Sequence, residues 1–203
     1  MSESSEALHI KRAEFLFGAP TLADIRKRTG PEIAIIGRSN VGKSTFVNRL
    51  CGRKVARVSG RPGCTQELNF YHVDGVVEGG AFDLTVVDMP GFGFARLSKE
   101  EREEISRLTV DYLRNREQLR VVILLNDCRR QPAEDEVAVQ RLCIEAGVHC
   151  VIVATKLDKE KRSQHARLLK EVAAGFGLEH PDIMGSGEGM SPVNIWSRVI
   201  SLL

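Results

Sequence analysis

The sequence predicts an α/β fold with a mostly parallel six-stranded sheet, one antiparallel strand and helices on both faces. Apolar strand-like runs alternate along the chain with charged helical runs, a pattern typical of parallel sheets covered by helices. A glycine-rich loop at 37–42 joins the first core strand to a helix. Turn signals at Asp74-Gly75 and Gly79-Gly80 lie between two neighbouring strand runs, which predicts a hairpin and hence the antiparallel strand.

The individual elements follow from this alternation. Residues 1–14 read as a flexible tail, and 15–203 read as a single domain that opens with an apolar segment at 15–20, packed on the sheet edge. Strands are predicted at 32–37, 69–73, 82–87, 120–126, 148–154 and 182–184. Helices are predicted at 43–51, 98–117, 134–146, 160–175 and 191–202. Ser98 and Glu101 have the spacing of a capping box at the start of the second helix.

Composition excludes several classes of protein. The chain has 203 residues, a net charge of +2, 42% hydrophobic and 28% charged residues, which is typical of a globular protein without a global field for nucleic acid. Its longest apolar runs, such as 121–125, are too short to cross a bilayer, and its acidic start lacks the apolar segment of a signal peptide. Five cysteines without a C-x-x-C pair indicate reduced thiols. We expect a cytoplasmic monomer with no membrane partner.

The clearest motif is a phosphate loop that fits G-x-x-x-x-G-K-[ST] at every fixed position, Gly37-Arg38-Ser39-Asn40-Val41-Gly42-Lys43-Ser44. A strand-like run precedes it and a helix-like run follows, so backbone N–H groups and the helix dipole converge on an anion. In such loops the lysine, here Lys43, bridges the β- and γ-phosphates, and the hydroxyl of Ser44 holds Mg²⁺. The sequence therefore predicts a nucleotide phosphate site at 37–44.

A second motif follows an apolar strand and has the form D-x-x-G, Asp88-Met89-Pro90-Gly91. An aspartate at this place can hold Mg²⁺ through water, and the N–H of Gly91 can meet the γ-phosphate and sense its loss. Taken alone, the motif is equally compatible with a strand that ends in an Asp-x-Pro-Gly turn.

A third motif selects the base. The segment Thr155-Lys156-Leu157-Asp158 ends a buried strand and is a variant of the N-K-x-D guanine motif. Asp158 can accept hydrogen bonds from guanine N1–H and the N2 amine, whereas adenine leaves that carboxylate unpaired. The stem of Lys156 can lie along the base, and Thr155 is shorter than asparagine, which predicts moderate affinity. Backbone N–H groups of Gly185-Ser186-Gly187 are candidates for the guanine O6 contact.

Four segments together resemble a known family, namely GRSNVGKST at 37–45, RPGCTQELNF at 61–70, DMPGFGFA at 88–95 and TKLDK at 155–159. They are similar to the EngB (YsxC/YihA) family of ribosome-assembly GTPases, in the P-loop GTPase superfamily, and the resemblance extends from Phe15 to the helix with Trp196. It implies a P-loop GTPase (Ras-like) fold and a GTP-hydrolysing switch with bound GTP or GDP and Mg²⁺. It also implies a role in large ribosomal subunit assembly and in normal cell division and septation.

The resemblance assigns further residues. It implies phosphate contacts from Gly63, Cys64 and Thr65, and it places Thr65 beside Ser44 on Mg²⁺ in the GTP state. The sequence departs from the family at 74–81, which lengthen a hairpin that usually ends in a short turn. It departs again at 185–187, which read G-S-G rather than S-[SA].

The catalytic residues that we expect are Lys43, Asn40 and Gly91. Small GTPases place a water-orienting glutamine after D-x-x-G, but Phe92 stands there, so slow intrinsic hydrolysis is expected. Charge neutralisation must then come from K⁺ held by Asn40 or from a group of the ribosomal particle; alternatively, Asn40 only caps the loop through its backbone. Phe92 and Phe94 either rearrange at a partner surface or pack under the second helix.

A basic run without acidic residues lies at positions 49–61 and comprises Arg49, Arg53, Lys54, Arg57 and Arg61. Such a patch can contact the phosphates of ribosomal RNA through bonds that weaken with salt. The alternative is an ordinary solvated basic surface.

Two other functions compete with the GTPase interpretation. A P-loop nucleotide or small-molecule kinase has no use for D-x-x-G combined with T-K-x-D, and no arginine-rich lid follows the loop. A non-hydrolysing GTP-dependent binding module is compatible with Phe92, but neither a further domain nor a membrane segment is visible in the sequence.

Overall fold

The computed structural model of the protein describes residues 8–56, 67–78, 80–93 and 98–203. The strands are β1 Leu8–Ala19, β2 Glu32–Gly37, β3 Leu68–Val77, β4 Gly80–Asp88, β5 Leu119–Asp127, β6 His149–Thr155 and β7 Ile183–Gly185. The helices are α1 Lys43–Leu50, α2 Lys99–Asn115, α3 Glu134–Glu145, α4 His165–Gly175 and α5 Val193–Ile200. All six predicted strands and all five predicted helices are present. The helix predicted from residue 160 begins at His165 because short 3₁₀ turns precede it.

The strands form one sheet in the order β1-β3-β4-β2-β5-β6-β7. β3 runs antiparallel to both of its neighbours, whereas the pairs β2–β4, β2–β5, β5–β6 and β6–β7 are parallel. Within the described part of the chain β3 is the single antiparallel strand, as predicted. The predicted strand number is wrong, because β1 adds a seventh strand at the edge.

Two predictions fail at this edge for one reason. The flexible tail predicted for 1–14 is a strand over 8–14, and the turn predicted at Asp74-Gly75 lies inside β3. These segments pair with each other, with Ile10 opposite Gly75 and Leu8 opposite Val77. The actual turn lies between Val77 and Gly80, which pair directly. Residues 74–77 and 80–81 therefore lengthen the two strands of the hairpin, and 74–77 also pair with the amino-terminal strand.

Gly75 allows β1 to approach this closely. A Cβ atom built on it would lie 2.4 Å from the carbonyl oxygen of His9. We expect Gly75→Ala to lower the free energy of unfolding by about 1–3 kcal/mol, because the added methyl group forces the two backbones apart. Urea denaturation measures this change, with Gly80→Ala as the matched control because its Cβ would meet only an ordinary contact at 3.5 Å. Equal stability of the two variants would contradict the described pairing.

Helices cover both faces of the sheet, as predicted. One apolar cluster joins the sheet to α2, α3 and α4 through side chains such as Tyr112, Leu142 and Val172. The other joins it to α1 and α5. There the indole Nε1 of Trp196 donates to the Leu50 carbonyl oxygen at 2.9 Å, and its ring stacks on Phe82 with centroids 4.4 Å apart. These contacts fix α1, and α1 in turn positions the end of the phosphate loop.

The start of α2 has the predicted capping box. The Ser98 hydroxyl accepts a hydrogen bond from the Glu101 N–H at 3.1 Å, and the Ser98 N–H donates to the Glu101 carboxylate at 2.8 Å. These bonds satisfy N–H groups that a helix start leaves unpaired. No helix within the described ranges has both the length and the apolar content that a membrane span requires.

Candidate nucleotide-binding site

The three motifs meet at the carboxyl ends of the parallel strands. The phosphate loop, residues 37–44, leaves β2 and enters α1 at Lys43. Gly42 has φ of 97° and Asn40 has φ of 64°, a backbone conformation that glycine and asparagine tolerate best. A Cβ atom on Gly37 would lie 2.9 Å from the Leu125 carbonyl oxygen. Backbone geometry therefore explains the residue types at these three positions.

The side chain of Lys43 lies against Asp88, at the end of β4. Its ammonium group donates to the Asp88 carboxylate at 2.5 Å, with only 9% of the lysine side chain and 3% of the aspartate side chain exposed. Burial raises the pKa of Asp88, and the charge and hydrogen bond of Lys43 oppose that rise. The pair brings the phosphate-loop cation and the D-x-x-G carboxylate into direct contact.

The D-x-x-G segment continues beside the phosphate loop and is more than a surface turn. The Met89 N–H donates to the Ile35 carbonyl oxygen at 3.0 Å, and the Ser39 N–H donates to the Phe92 carbonyl oxygen at 2.9 Å. The Phe92 side chain is partly buried and packs against the core cluster to which α2 and α3 contribute, as one of the two alternatives expects. Phe94 lies outside the described residues.

The guanidinium group of Arg38 is turned toward α3. It lies 4.0 Å from the Asp135 carboxylate and 3.9 Å from that of Glu136. It also covers Gly93, where a Cβ atom would be 3.1 Å from the Arg38 nitrogen. Arg38 therefore links the phosphate loop to the residues after Phe92 and to the start of α3.

Two side chains of the T-K-x-D segment tie β6 to the phosphate loop. The Thr155 hydroxyl lies 2.8 Å from the Val41 carbonyl oxygen and 3.2 Å from that of Asn126. The Lys156 ammonium group donates to the Asn40 carbonyl oxygen at 2.6 Å and lies 3.0 Å from the Asp127 carboxylate. Residues far apart in the sequence thus form one continuous rim.

Asp158 and the loop at 185–187 form the far end of this rim. The Asp158 side chain is 17% exposed and lies 3.0 Å from the Lys159 ammonium group. Burial raises the pKa of Asp158, but hydrogen bonds from Lys159 and from the Glu188 backbone, with the charge of Lys159, hold it below its usual value. The carboxylate therefore stays ionised at neutral pH and can accept hydrogen bonds.

The loop at 185–187 was predicted to donate backbone N–H groups to guanine O6, and one of these N–H groups is engaged elsewhere. The Ser186 N–H donates to the Ala154 carbonyl oxygen at 2.8 Å, so it is committed to the backbone and not to a ligand. Gly187 adjoins Asp158, because a Cβ atom there would lie 2.6 Å from the Asp158 nitrogen. Together these elements enclose a cavity of about 430 Å³, here called the base cavity, lined by Val41, Gly42, Thr45, Phe46, Arg49, Thr155, Lys156, Asp158, Lys159, Ser186, Gly187 and Glu188.

Gly187 gives a direct test of the base cavity. We expect Gly187→Ala to weaken GDP binding about tenfold or more, because the new methyl group would displace Asp158 from its position. Gly80→Ala is the control, since Gly80 lies outside the cavity lining and its Cβ would meet only an ordinary contact at 3.5 Å. Titration with a fluorescent GDP analogue compares the two variants. Similar affinities for both would contradict the role that we expect for Gly187 beside the guanine base.

Arg49 is a cavity residue that the sequence reasoning missed. It was expected in a solvent-facing basic patch, but its Nη1 atom donates to the Ser186 hydroxyl oxygen at 2.8 Å. Helical spacing could have predicted that Arg49 lines the cavity, because positions 45 and 49 lie one turn apart on the same face of α1. Of the other patch residues, Arg53 donates to the Lys11 carbonyl oxygen at 3.2 Å and Lys54 is exposed.

Several predicted positions lie outside the described residues. They are the switch segment with Gly63, Cys64 and Thr65, and the basic residues Arg57 and Arg61.

Comparison with known proteins agrees with this geometry. The family model described as "50S ribosome-binding GTPase" matches residues 32–156. A probable GTP-binding protein EngB of Lactococcus lactis subsp. lactis is 44% identical over 177 residues, which are 85% of this chain and 87% of that protein. The protein of the same description from Streptococcus thermophilus is 40% identical over 170 residues, 82% of each chain.

Solved structures show the same architecture. The crystal structure of a probable GTP-binding protein engB superposes with a TM-score of 0.62 and 26% identity, covering 84% of this chain and 97% of that one. The fold is also similar to that of Aquifex aeolicus Era bound to GDP·AlF4⁻, with a TM-score of 0.67 and 20% identity, over 87% of this chain and 57% of that one. The fold, the three motifs and these relatives together show that the chain belongs to the EngB family of P-loop GTP-binding proteins.

Proposed function

We propose that the protein binds GTP and GDP and hydrolyses GTP to GDP and phosphate. One observation carries this proposal: the T-K-x-D segment and the phosphate loop are tied into one rim by the bonds of Thr155 to Val41 and of Lys156 to Asn40. The phosphate loop and the base cavity of about 430 Å³, which an ionised carboxylate lines, therefore share one rim. That carboxylate favours guanine, because guanine presents two N–H donors on the edge where adenine presents an acceptor.

Each residue of the phosphate end has a distinct part. Backbone N–H groups of the phosphate loop surround the phosphates, and Lys43 is the cation that exchanges its contact with Asp88 for phosphate oxygens. The donor set suits Mg²⁺, because the Ser44 hydroxyl lies at the start of α1 and the nearly buried Asp88 carboxylate ends β4. Mg²⁺ supplies charge neutralisation at the phosphates when it is bound. Thr65, with Gly63 and Cys64, remains the proposed switch contact.

Hydrolysis is expected to be slow without a partner. The position of the water-orienting glutamine holds Phe92, whose side chain packs on the core. Two activators are proposed, namely K⁺ beside Asn40 and a group of the ribosomal particle. The exposed side chain of Asn40 lies on the phosphate loop, where a monovalent cation would neutralise developing charge.

The potassium proposal has a clean test. If K⁺ acts through the side chain of Asn40, replacing K⁺ by Na⁺ should slow turnover of the parent protein about tenfold or more and change Asn40→Gly little. Glycine is the appropriate replacement because it keeps the positive φ of 64° without strain. Single-turnover phosphate release measures both rates. Equal rates of the parent protein in the two salts would exclude K⁺ activation.

We propose that the partner is the large ribosomal subunit or its RNA, in keeping with the matched family description. Arg53 and Lys54 follow α1 and present charge for RNA phosphates, with Arg57 and Arg61 as further candidates. Co-sedimentation with large-subunit precursors tests this, and pelleting should depend on GTP and decline with salt. Absence of pelleting in either nucleotide state would contradict the proposed partner. A role in cell division, a cytoplasmic location and a monomeric state stay predictions.

Nucleotide selectivity is the first measurement. Fluorescent GTP, GDP and ATP are titrated with and without Mg²⁺, and binding of both guanine nucleotides but not ATP is expected. Equal binding of ATP would overturn the role of Asp158 and favour the kinase alternative.

A further inference from the structure

The guanine motif of this chain lacks one donor. An asparagine amide at position 155 has two N–H donors, so it can bond to the loop and still donate to a base. Thr155 has a single hydroxyl proton, and its oxygen already lies within bonding distance of the Val41 and Asn126 carbonyl oxygens. The N–H of Ser186 is equally committed, to Ala154. The Thr155 hydroxyl and the Ser186 N–H, two donors close to the acceptor edge of a bound guanine, are therefore both in use within the protein.

Arg49 lines the same cavity and carries spare donors. Its guanidinium group has five N–H donors, and the hydrogen bond of Nη1 to the Ser186 hydroxyl engages one of them. That bond anchors the side chain across a separation of 137 residues, from α1 to the loop that also borders Asp158. Arg49 is half-buried, as expected for a guanidinium held in a cavity wall rather than in free solvent.

The charges of the base cavity match the polarity of guanine. Asp158 is an acceptor that suits N1–H and the N2 amine. Arg49 is a donor that suits the carbonyl oxygen at position 6, next to those groups. Adenine has the opposite pattern, with an amine at position 6 and an acceptor at N1, so both side chains would be mismatched.

We propose that Arg49, anchored by Ser186, is a specificity-determining residue that donates a hydrogen bond to the position-6 oxygen of the bound guanine. It replaces the donors that Thr155 and the Ser186 backbone do not supply. The proposal rests on the proposed guanine-nucleotide binding and deepens it.

The experiment compares GDP with 6-thio-GDP, whose sulfur is a poor acceptor. Arg49→Ala should weaken GDP binding about tenfold and 6-thio-GDP binding only about twofold, because the analogue makes little use of the donor in the parent protein. The affinity for GTP should fall by the same factor as that for GDP, because both nucleotides have the same base. Arg53→Ala is the matched control, since this nearby arginine contacts the Lys11 carbonyl oxygen outside the cavity, and it should bind both nucleotides like the parent protein.

Ser186→Ala provides a second variant, which keeps the guanidinium but removes its anchor. Its affinity for GDP should fall about threefold, and its affinity for 6-thio-GDP should again fall less. Equal losses for GDP and 6-thio-GDP would overturn the proposal and leave Arg49 a purely structural tie. A loss confined to GTP would also overturn it, in favour of a phosphate role. Failure of the parent protein to bind either guanine nucleotide would instead refute the proposed function itself.

Discussion

Replacing Lys43 by alanine is expected to weaken GTP and GDP binding by about 100-fold or more and also to destabilise the fold. The first effect follows from the loss of the cation that meets the β- and γ-phosphates, because hydrogen bonds to charged groups contribute about 1.5–3 kcal/mol each. The second follows from the structure, since Lys43 is the buried partner of Asp88. Breaking a buried pair from one side costs about 3–5 kcal/mol.

A double variant separates the two effects. Lys43→Ala with Asp88→Asn removes both charges, so we expect it to recover much of the lost stability in thermal denaturation but none of the nucleotide affinity. Titration calorimetry with GDP gives the affinity of each variant at a temperature where all of them are folded. If folded Lys43→Ala bound GDP as tightly as the parent protein, the phosphate-loop assignment would be wrong. If the double variant were no more stable than Lys43→Ala, the unpaired Asp88 would not explain the destabilisation.

The sequence predicted those parts of the fold whose signals are local. The alternation of apolar and charged runs placed β2, β4–β6 and all five helices within a few residues, because each element carries its own periodicity and α2 also carries its own capping box. The second half of β1 was predicted as the apolar segment at 15–20 on the sheet edge, but its first half, residues 8–14, had no such signal. It is an edge strand with charged residues at Lys11, Arg12 and Glu14, so it reads as a solvated tail until its partner at 74–77 is known. That pairing joins segments more than sixty positions apart, which no local pattern encodes.

At the candidate site, too, the sequence predicted what local motifs encode but not the contacts between distant segments. The motifs identified the loops that meet, because loop sequences of this kind are tied to phosphate and base chemistry. They did not identify which atoms remain available once the loops have met. The hydroxyl of Thr155 and the N–H of Ser186 are engaged within the protein, and Arg49 enters the cavity from α1. Such assignments depend on which donors the fold itself consumes, and they follow only from three-dimensional contacts.

Replacing Asp158 by asparagine should change the preferred base from guanine to xanthine. Guanine offers N1–H and an N2 amine, and the ionised carboxylate accepts from both. An asparagine keeps an acceptor for N1–H but presents an amide N–H where the amine was, so it repels guanine and can donate to the O2 atom of xanthine. Hydrogen bonds to a charged group contribute about 1.5–3 kcal/mol each, so GTP affinity should fall by about 100-fold or more.

The surroundings of Asp158 permit this exchange. Asparagine is nearly isosteric with aspartate, so the close approach of Gly187 is preserved. The Lys159 side chain, which bonds to the carboxylate, is 58% exposed and can move away from the new amide. Titration of the variant with XTP and GTP tests the prediction, and tight XTP binding would also show that the variant is folded. If Asp158→Asn kept the GTP preference of the parent protein, Asp158 would not read the base, and the cavity bounded by Gly187 and Arg49 would have to hold another part of the ligand.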